Sequence, residues 1–299
     1  MDNILITGGA GFIGSNLSLK LEDSDHKVTV IDNLSSGNFK NLKGFKGTFI
    51  KKDILDKSLP DKKFDIIFHL AAITDTTYNN DKEMLRQNTE GFKNILTLAL
   101  KNNSKLIYAS SASVYGNGKA PMAETQKPIP LNAYARSKLE IDNLASKFFN
   151  KMHIVGLRYF NVFGPGEKYK GKSASMILQL TNKMLSGQNP RLFRFGQQKR
   201  DFIYIKDVIQ ATLNAINAKM SGVYNVGTGT ATSFNEIVKI LNTCLNTDYQ
   251  PLYFMNKKID SYQKNTKADT LNSKRNLDFQ ANYKLPDAIK IYVDYIKKM

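Results

Sequence analysis

This chain of 299 residues has no tryptophan, and cysteine occurs once, at Cys244. A lone thiol excludes any intramolecular disulfide and fits a reducing cytoplasm, which is where the protein is expected. No apolar run approaches the roughly 18 residues of a membrane span. The opening apolar segment reads as a core strand, since no basic leader or cleavage site accompanies it. Acidic residues are scarce, 26 against 43 basic ones, leaving a formal charge of +17. The lysines are scattered and carry no nucleic-acid recognition motif, so nucleic acid is not the expected partner. They read as solvated faces, some of which draw in an anionic substrate. No metal site is expected, and neither is a membrane contact.

A composition of 41% hydrophobic and 23% charged residues is that of a globular protein. The length suits one large domain or two smaller ones. Apolar strands read at Val28–Asp32, Thr48–Lys52, Phe64–Ala71, Leu106–Ser110 and Ile154–Tyr159, with helical patterns at Met84–Asn102 and Asn132–Phe149. Nearly continuous apolar strands alternating with helices predict a doubly wound α/β domain around a parallel sheet. We place this dinucleotide-binding (Rossmann) domain at residues 1–165, with segments near 202–230 returning to it. Residues 166–299 read mostly as a smaller C-terminal α/β substrate domain. There a lysine-rich loop, Glu167–Lys172, precedes a helix at Ala174–Ser186. Shorter strands follow at Arg191–Phe195, Phe202–Ile205, Val223–Val226 and Leu252–Phe254, and Ser233 to Glu236 has capping-box spacing before a helix at Ile237–Leu245.

The stretch Asn3–Gly14 runs an apolar strand into glycines at 8, 11 and 14 and then into a helix. Gly8 allows a tight turn, Gly11 lets a pyrophosphate approach the backbone, and Gly14 lets the helix pack on the sheet. The N–H groups at the helix start, around Phe12 and Ile13, then face the phosphates. Glycine turns without ligands are common, and the flanking strand and helix supply the needed context. Asp32 ends the second strand, placed to accept hydrogen bonds from a ribose beside Asn33. Its charge repels a 2′-phosphate and favours NAD, whereas Lys40 in the next loop would offset that repulsion and admit NADP. The residues leave this choice open. Asp53-Ile54 borders the adenine in this reading, and Leu70-Ala71-Ala72 and Thr74 offer small side chains across strand ends. Asn88 is either a structural residue or a cofactor contact, and His69 reads as a core histidine.

Tyr134 and Lys138 stand four apart on a predicted helix and share a face. A lysine ammonium beside a phenol favours phenolate and is expected to lower the pKa of Tyr134. Ser111, at a strand end, reaches the same substrate oxygen. Together the three are expected to take a proton from an alcohol whose carbon is oxidised by a nicotinamide.

With Arg158–Pro165 and Arg200–Val208, these motifs resemble the extended short-chain dehydrogenase/reductase family of nucleotide-sugar enzymes over essentially the whole chain. Members that eliminate water usually carry an acid where this chain has Ala112-Ser113, which favours epimerisation or simple redox. Ile73–Thr77, Tyr169–Met176 and Ser261–Thr266 narrow the likeness to epimerases of that family. The resemblance implies that Lys170 is a second acid/base, since two epimers present their oxygen on different sides. It implies that Asn161, Lys172, Gln179, Phe193, Arg200 and Tyr262 contact substrate and that Val162 and Lys170 also border the cofactor. It further implies NADP as cofactor, with NAD as the alternative, and a homo-oligomer, a pentamer. Arg200 is suited to bridging pyrophosphate oxygens. The competing readings are an epimerase of another nucleotide sugar and a cofactor-binding regulator without catalysis.

Overall fold

The computed structural model describes residues 1–298 apart from 25, 57, 61, 76–77 and 256–262. The first half alternates as its hydrophobic pattern requires. Strands β1 (Asn3–Thr7) and β2 (Lys27–Asp32) flank helix α1 (Phe12–Glu22). After β3 (Thr48–Lys51) and β4 (Ile66–His69) comes α2 (Asp81–Asn102), then β5 (Lys105–Ser111), α3 (Ala133–Ser146) and β6 (Ile154–Tyr159). The second half is built of shorter pieces: β7 (Asn161–Phe163), α4 (Met176–Leu185), β8 (Arg191–Phe193), β9 (Lys199–Arg200), β10 (Phe202–Tyr204) and α5 (Ile205–Asn214). It closes with β11 (Gly222–Val226), β12 (Thr232–Ser233), α6 (Phe234–Leu245), β13 (Leu252–Phe254), α7 (Leu271–Asn276) and α8 (Leu285–Ile296).

Seven strands pair in parallel in the order β3-β2-β1-β4-β5-β6-β11. The order reverses between β1 and β4, and such a switch point opens a crevice beyond the strands' carboxyl ends. Successive side chains of β1 serve opposite faces. Ile4 and Ile6 join the layer containing Leu17 of α1, Ile205 of α5 and Ile289 of α8. Leu5 joins Phe92 and Ile95 of α2 and Ile141 of α3. Both faces of the sheet are therefore covered, as an all-parallel sheet requires.

The later segments do not form a separate layer throughout. β11 returns to the main sheet beside β6, while β7–β10, β9–β12 and β8–β13 make small two-stranded pairs. Most sequence boundaries lie within a residue or two of these elements. The strand read at Phe64–Ala71 is shorter, because the chain past His69 turns across the sheet end. Asn132 caps α3 rather than belonging to it, its Oδ1 accepting the Ala135 N–H at 2.8 Å. Ser233 and Glu236 form the expected capping box, with the helix beginning earlier, at Phe234. The stretch read as a loop at Glu167–Lys172 instead forms short 3-10 turns within Glu167–Ser173, broken by a kink at Gly171. Helices α5 and α8 are additions to the sequence reading, although Asp207 in the first turn of one and Pro286 and Asp287 at the start of the other were available signals.

Candidate active site

At the crevice, Gly8 takes φ +70°, and its N–H donates to Ile31 O at 2.8 Å. A Cβ there would stand 2.6 Å from the Ala71 nitrogen. Gly11 is the N-cap of α1 and gives its open N–H groups no side-chain partner. A Cβ on Gly11 would meet only Gly8 O, at 3.1 Å, so the backbone is bared at the helix start. That concavity fits the pyrophosphate of a dinucleotide, with Phe12, Ile13 and Gly14 forming the helix's first turn.

Asp32 lies beside this turn. Its Oδ2 accepts the Ala10 N–H at 2.9 Å and its Oδ1 the Leu34 N–H at 2.8 Å. Burial pushes its carboxyl up, and these two donors oppose the rise. Asn33 donates to Asp53 Oδ2 at 2.8 Å, tying two strand ends together. Lys40 is exposed on a short 3-10 turn that folds back on the glycines through Asn38 N–H to Ala10 O, 3.0 Å. Leu70 donates to Thr7 O at 3.1 Å, which directs Ala71 and Ala72 across the strand ends. Thr74 is exposed just beyond, and Ile54 packs against Gly91 of α2. Asn88 has a structural role in this crevice wall. Its amide donates to Ile73 O (3.1 Å) and Ser137 Oγ (3.0 Å) and accepts Ile73 N–H (2.8 Å). It holds the Ile73-Thr74 segment against α3.

Ser111 ends β5 and caps the turn that follows, its Oγ accepting the Ser113 N–H at 3.1 Å. The Tyr134 phenol is hydrogen-bonded to this serine. Lys138, one turn on, is buried, and its Nζ donates to Ala109 O at 2.8 Å. Here the expected electrostatics are corrected. Burial raises the Tyr134 phenol, and it is the Ser111 hydrogen bond that opposes the rise. The Lys138 ammonium sits 5.8 Å from the ring centroid and is itself lowered to about 8 by burial, against the pull of Asp142. The lysine still carries its charge at pH 7, but its Nζ is tied to the Ala109 carbonyl and it is not among the groups that lower the phenol.

Lys170 faces the same crevice from the second half of the chain. Its Nζ lies 5.7 Å from the Phe12 ring centroid, and burial lowers its pKa while Glu167 raises it. Gln179 of α4 donates to Ala174 O at 2.8 Å and to Lys172 O at 3.3 Å, bracing this turn. Lys172 itself is exposed. Arg200 is buried, donating to Lys199 O at 2.9 Å and Gln263 O at 2.6 Å. Gln263 in turn donates to Gly116 O at 2.8 Å, joining Arg200 to the turn after Ser111. Asn161 is exposed with its Oδ1 3.4 Å from Thr266 Oγ1, Val162 is half-buried, and the Phe193 ring lies 5.9 Å from Phe254. Tyr262 lies outside the described residues.

Sequence reasoning missed two buried acids behind these groups. Asp142 follows Lys138 by four residues on α3, and Glu167 precedes Lys170 by three. Helical spacing was the available signal. A broad groove of about 1120 Å³ at the amino ends of β2 and β3, lined by Lys27 and Thr48, lies at the wrong end of the sheet for this chemistry.

His69 is buried with its Nδ1 2.9 Å from Thr7 Oγ1. Burial, helped by the Lys138 charge, drops its pKa to about 3. The unfolded histidine, near 6.5, binds a proton that the folded one refuses. Its contribution is complete above 6.5 and is lost as pH falls towards 3. Between pH 6.5 and 5 this removes about 2 kcal/mol. Urea unfolding of His69→Gln should show a pH dependence flatter by that amount, and a slope equal to wild type would refute it.

Strand order, glycine turn and the Ser-Tyr-Lys arrangement define a nicotinamide-dependent fold of one kind. Residues 4–227 match the family model described as the NAD dependent epimerase/dehydratase family, and the chain belongs to that family. Over 286 residues it is 40% identical to ADP-L-glycero-D-manno-heptose-6-epimerase of Brachyspira hyodysenteriae, covering 89% of each chain. The crystal structure of Helicobacter pylori ADP-L-glycero-D-manno-heptose-6-epimerase superposes with a TM-score of 0.94 at 44% identity, covering 100% of this chain and 97% of that one. UDP-N-acetylglucosamine 4-epimerase from Methanobrevibacter ruminantium is similar at 31% identity and a TM-score of 0.92, covering 100% of this chain and 99% of the other.

Proposed function

We propose that this chain interconverts ADP-D-glycero-D-manno-heptose and ADP-L-glycero-D-manno-heptose by epimerising C6 through a 6-keto intermediate. The observation that carries the reading is the pair of proton-handling groups at one crevice: Tyr134 on Ser111, and Lys170 against Phe12. Likeness to two heptose epimerases at 40% and 44% identity supports the sugar.

When bound, the nicotinamide supplies a reversible two-electron acceptor at the carbinol carbon. The protein supplies the rest. Ser111 and Tyr134 hydrogen-bond the C6 oxygen of one epimer, and Tyr134 takes its proton. After the ketone rotates, the oxygen lies towards Lys170, which returns a proton as the alcohol re-forms; the reverse reaction exchanges these roles. A base lowered by burial, as Lys170 is, serves this better than a solvated amine. Lys138 anchors the Tyr134 side of the site. Ala112 and Ser113 offer no carboxyl to expel a hydroxyl, which supports epimerisation over water elimination.

Exposed Lys40 beyond Asp32 supports NADP over NAD. The same reading brings residues 1–165 as cofactor domain and 166–299 mostly as substrate domain, a homo-oligomer, and heptose supply for lipopolysaccharide. The single cysteine supports a cytoplasmic location, and among the described residues no helix is long and apolar enough to cross a membrane. Purified protein given either C6 epimer, with no added cofactor, should produce the other, followed by proton NMR. Faster turnover of UDP-glucose or UDP-N-acetylglucosamine would transfer the assignment to a hexose 4-epimerase.

A further inference from the structure

Glu167 is wholly buried, in a run of sequence otherwise rich in exposed lysine. Burying a carboxylate costs several kcal/mol unless donors surround it. Here they do. The Gly164 N–H reaches Oε1 at 3.1 Å, and Ser175 donates its N–H to Oε2 and its hydroxyl to Oε1 at 2.8 Å. Ser175 Oγ also accepts the Leu178 N–H that it caps at the start of α4. Tyr292 of α8 adds its phenolic hydroxyl, and burial first, then the neighbouring Glu167, holds that phenol above its usual range. Burial raises the Glu167 carboxyl, and the hydrogen bonds from Ser175 and Gly164, with the Lys170 charge, oppose that rise and favour the carboxylate.

These bonds tie together the end of the β7 segment, the start of α4 and the face of α8. The turn they enclose carries Lys170. Gly171, next along, adopts φ +55°, and a Cβ there would meet nothing within 4 Å. Gly171 itself is held by no side-chain packing, and the bonds to Glu167 and Gln179 brace the turn around it. Among the described residues, the groups facing Lys170 are Phe12 from α1, Glu167 from its own turn and, through Glu167, Tyr292 from α8. Lys168 and Lys172 are exposed.

We propose that Glu167 is the positioning residue of Lys170: its buried carboxylate fixes the turn that aims the amine and supplies the charge that keeps the amine able to carry a proton. The inference rests on the reading of Lys170 as the second acid/base. Burial alone drives Lys170 towards the neutral amine, a base with no proton to return. Glu167 opposes that drive, so Lys170 can leave and re-enter the ammonium form during one cycle.

The test separates the two ideas. Lys170→Met measures the parent reading: wild-type epimerisation in that variant would remove the second base, whatever Glu167 does. With that loss in hand, Glu167→Gln and Ser175→Ala are compared by amine acetylation at Lys170 across pH, followed by peptide mass spectrometry on the whole protein. Glu167→Gln should move the labelling midpoint at least about 0.5 units lower, since one charge near a buried amine shifts it on that scale. The acidic limb of kcat should move the same way. Ser175→Ala keeps the charge and loosens the turn, so the midpoint should stay while kcat falls about tenfold, within the range that misplaced reacting groups cost. An unmoved midpoint in a folded Glu167→Gln protein overturns the electrostatic half. If that variant does not fold, Ser175→Ala with undiminished kcat overturns the positioning half.

Discussion

Epimerisation by the double variant Tyr134→Phe, Lys170→Met is expected to fall to background, while cofactor content and melting temperature stay near wild type. Each group handles the proton for one face of the ketone, and one turnover passes through both faces in series. Losing either group alone should therefore cost about 10²–10⁴ in kcat, the usual weight of a positioned acid or base. Adding the second loss should cost little more, because the cycle is already blocked. That non-additivity is the signature of two groups acting in sequence. The Lys138 geometry sharpens the expectation: with its Nζ on Ala109 O it cannot swing to replace the missing phenol without breaking a 2.8 Å bond. The two substrates entering from opposite sides give a further check. In Tyr134→Phe, one epimer should still transfer electrons to bound cofactor, seen as a single-turnover absorbance change, and the other should not; Lys170→Met should show the reverse preference. Undiminished steady-state turnover in the double variant would end the two-base account.

Much of this site was legible because its groups lie on strand ends and one helix face. Gly8, Gly11 and Gly14 are read from spacing, and so is the Tyr134–Lys138 pair, since a four-residue step fixes a shared face before any tertiary contact forms. Asp32 follows from the end of an apolar run. What was not legible depends on contacts far apart in sequence. The structural part played by Asn88, whose amide bridges Ile73 to Ser137, 49 positions away, could not be read from spacing. Lys138 was expected to acidify the phenol, and only burial, which no spacing reveals, shows it lowered itself. Glu167 hid within lysines because its donors come from α4 and α8. Helix α5 leaves β10 with no side-chain cap, so its start rests on the weaker signal of Asp207 in the first turn.

The second large effect is expected behind the site, where Arg158 of β6 meets Asp142 of α3. Arg158 Nη2 and Nε lie 2.9 and 3.0 Å from Asp142 Oδ2, both residues being almost wholly buried. The carboxylate also accepts the Tyr108 hydroxyl at 3.1 Å. The guanidinium donates to the Tyr115 hydroxyl at 2.9 Å and lies 4.9 Å from that ring's centroid. Tyr115 passes the contact to Asn225 at 2.7 Å, so the pair couples β5, β6, α3 and β11. Arg158→Met strands a buried carboxylate and should cost about 3–5 kcal/mol in urea unfolding, a large share of a stability of about 5–15 kcal/mol. Asp142→Leu strands the guanidinium at similar cost. The double variant should be closer to wild type than the two losses summed, because removing both charges leaves nothing unpaired. Either single variant within about 1 kcal/mol of wild type would contradict this, since it would mean that the stranded charge had found water. Asp142 is also the charge that opposes the burial of Lys138. In Asp142→Asn, if folded, that lysine becomes neutral at lower pH, and any limb of the rate profile belonging to it should move down with it. Stability and proton handling thus share one carboxylate, one helical turn from the amine it keeps charged.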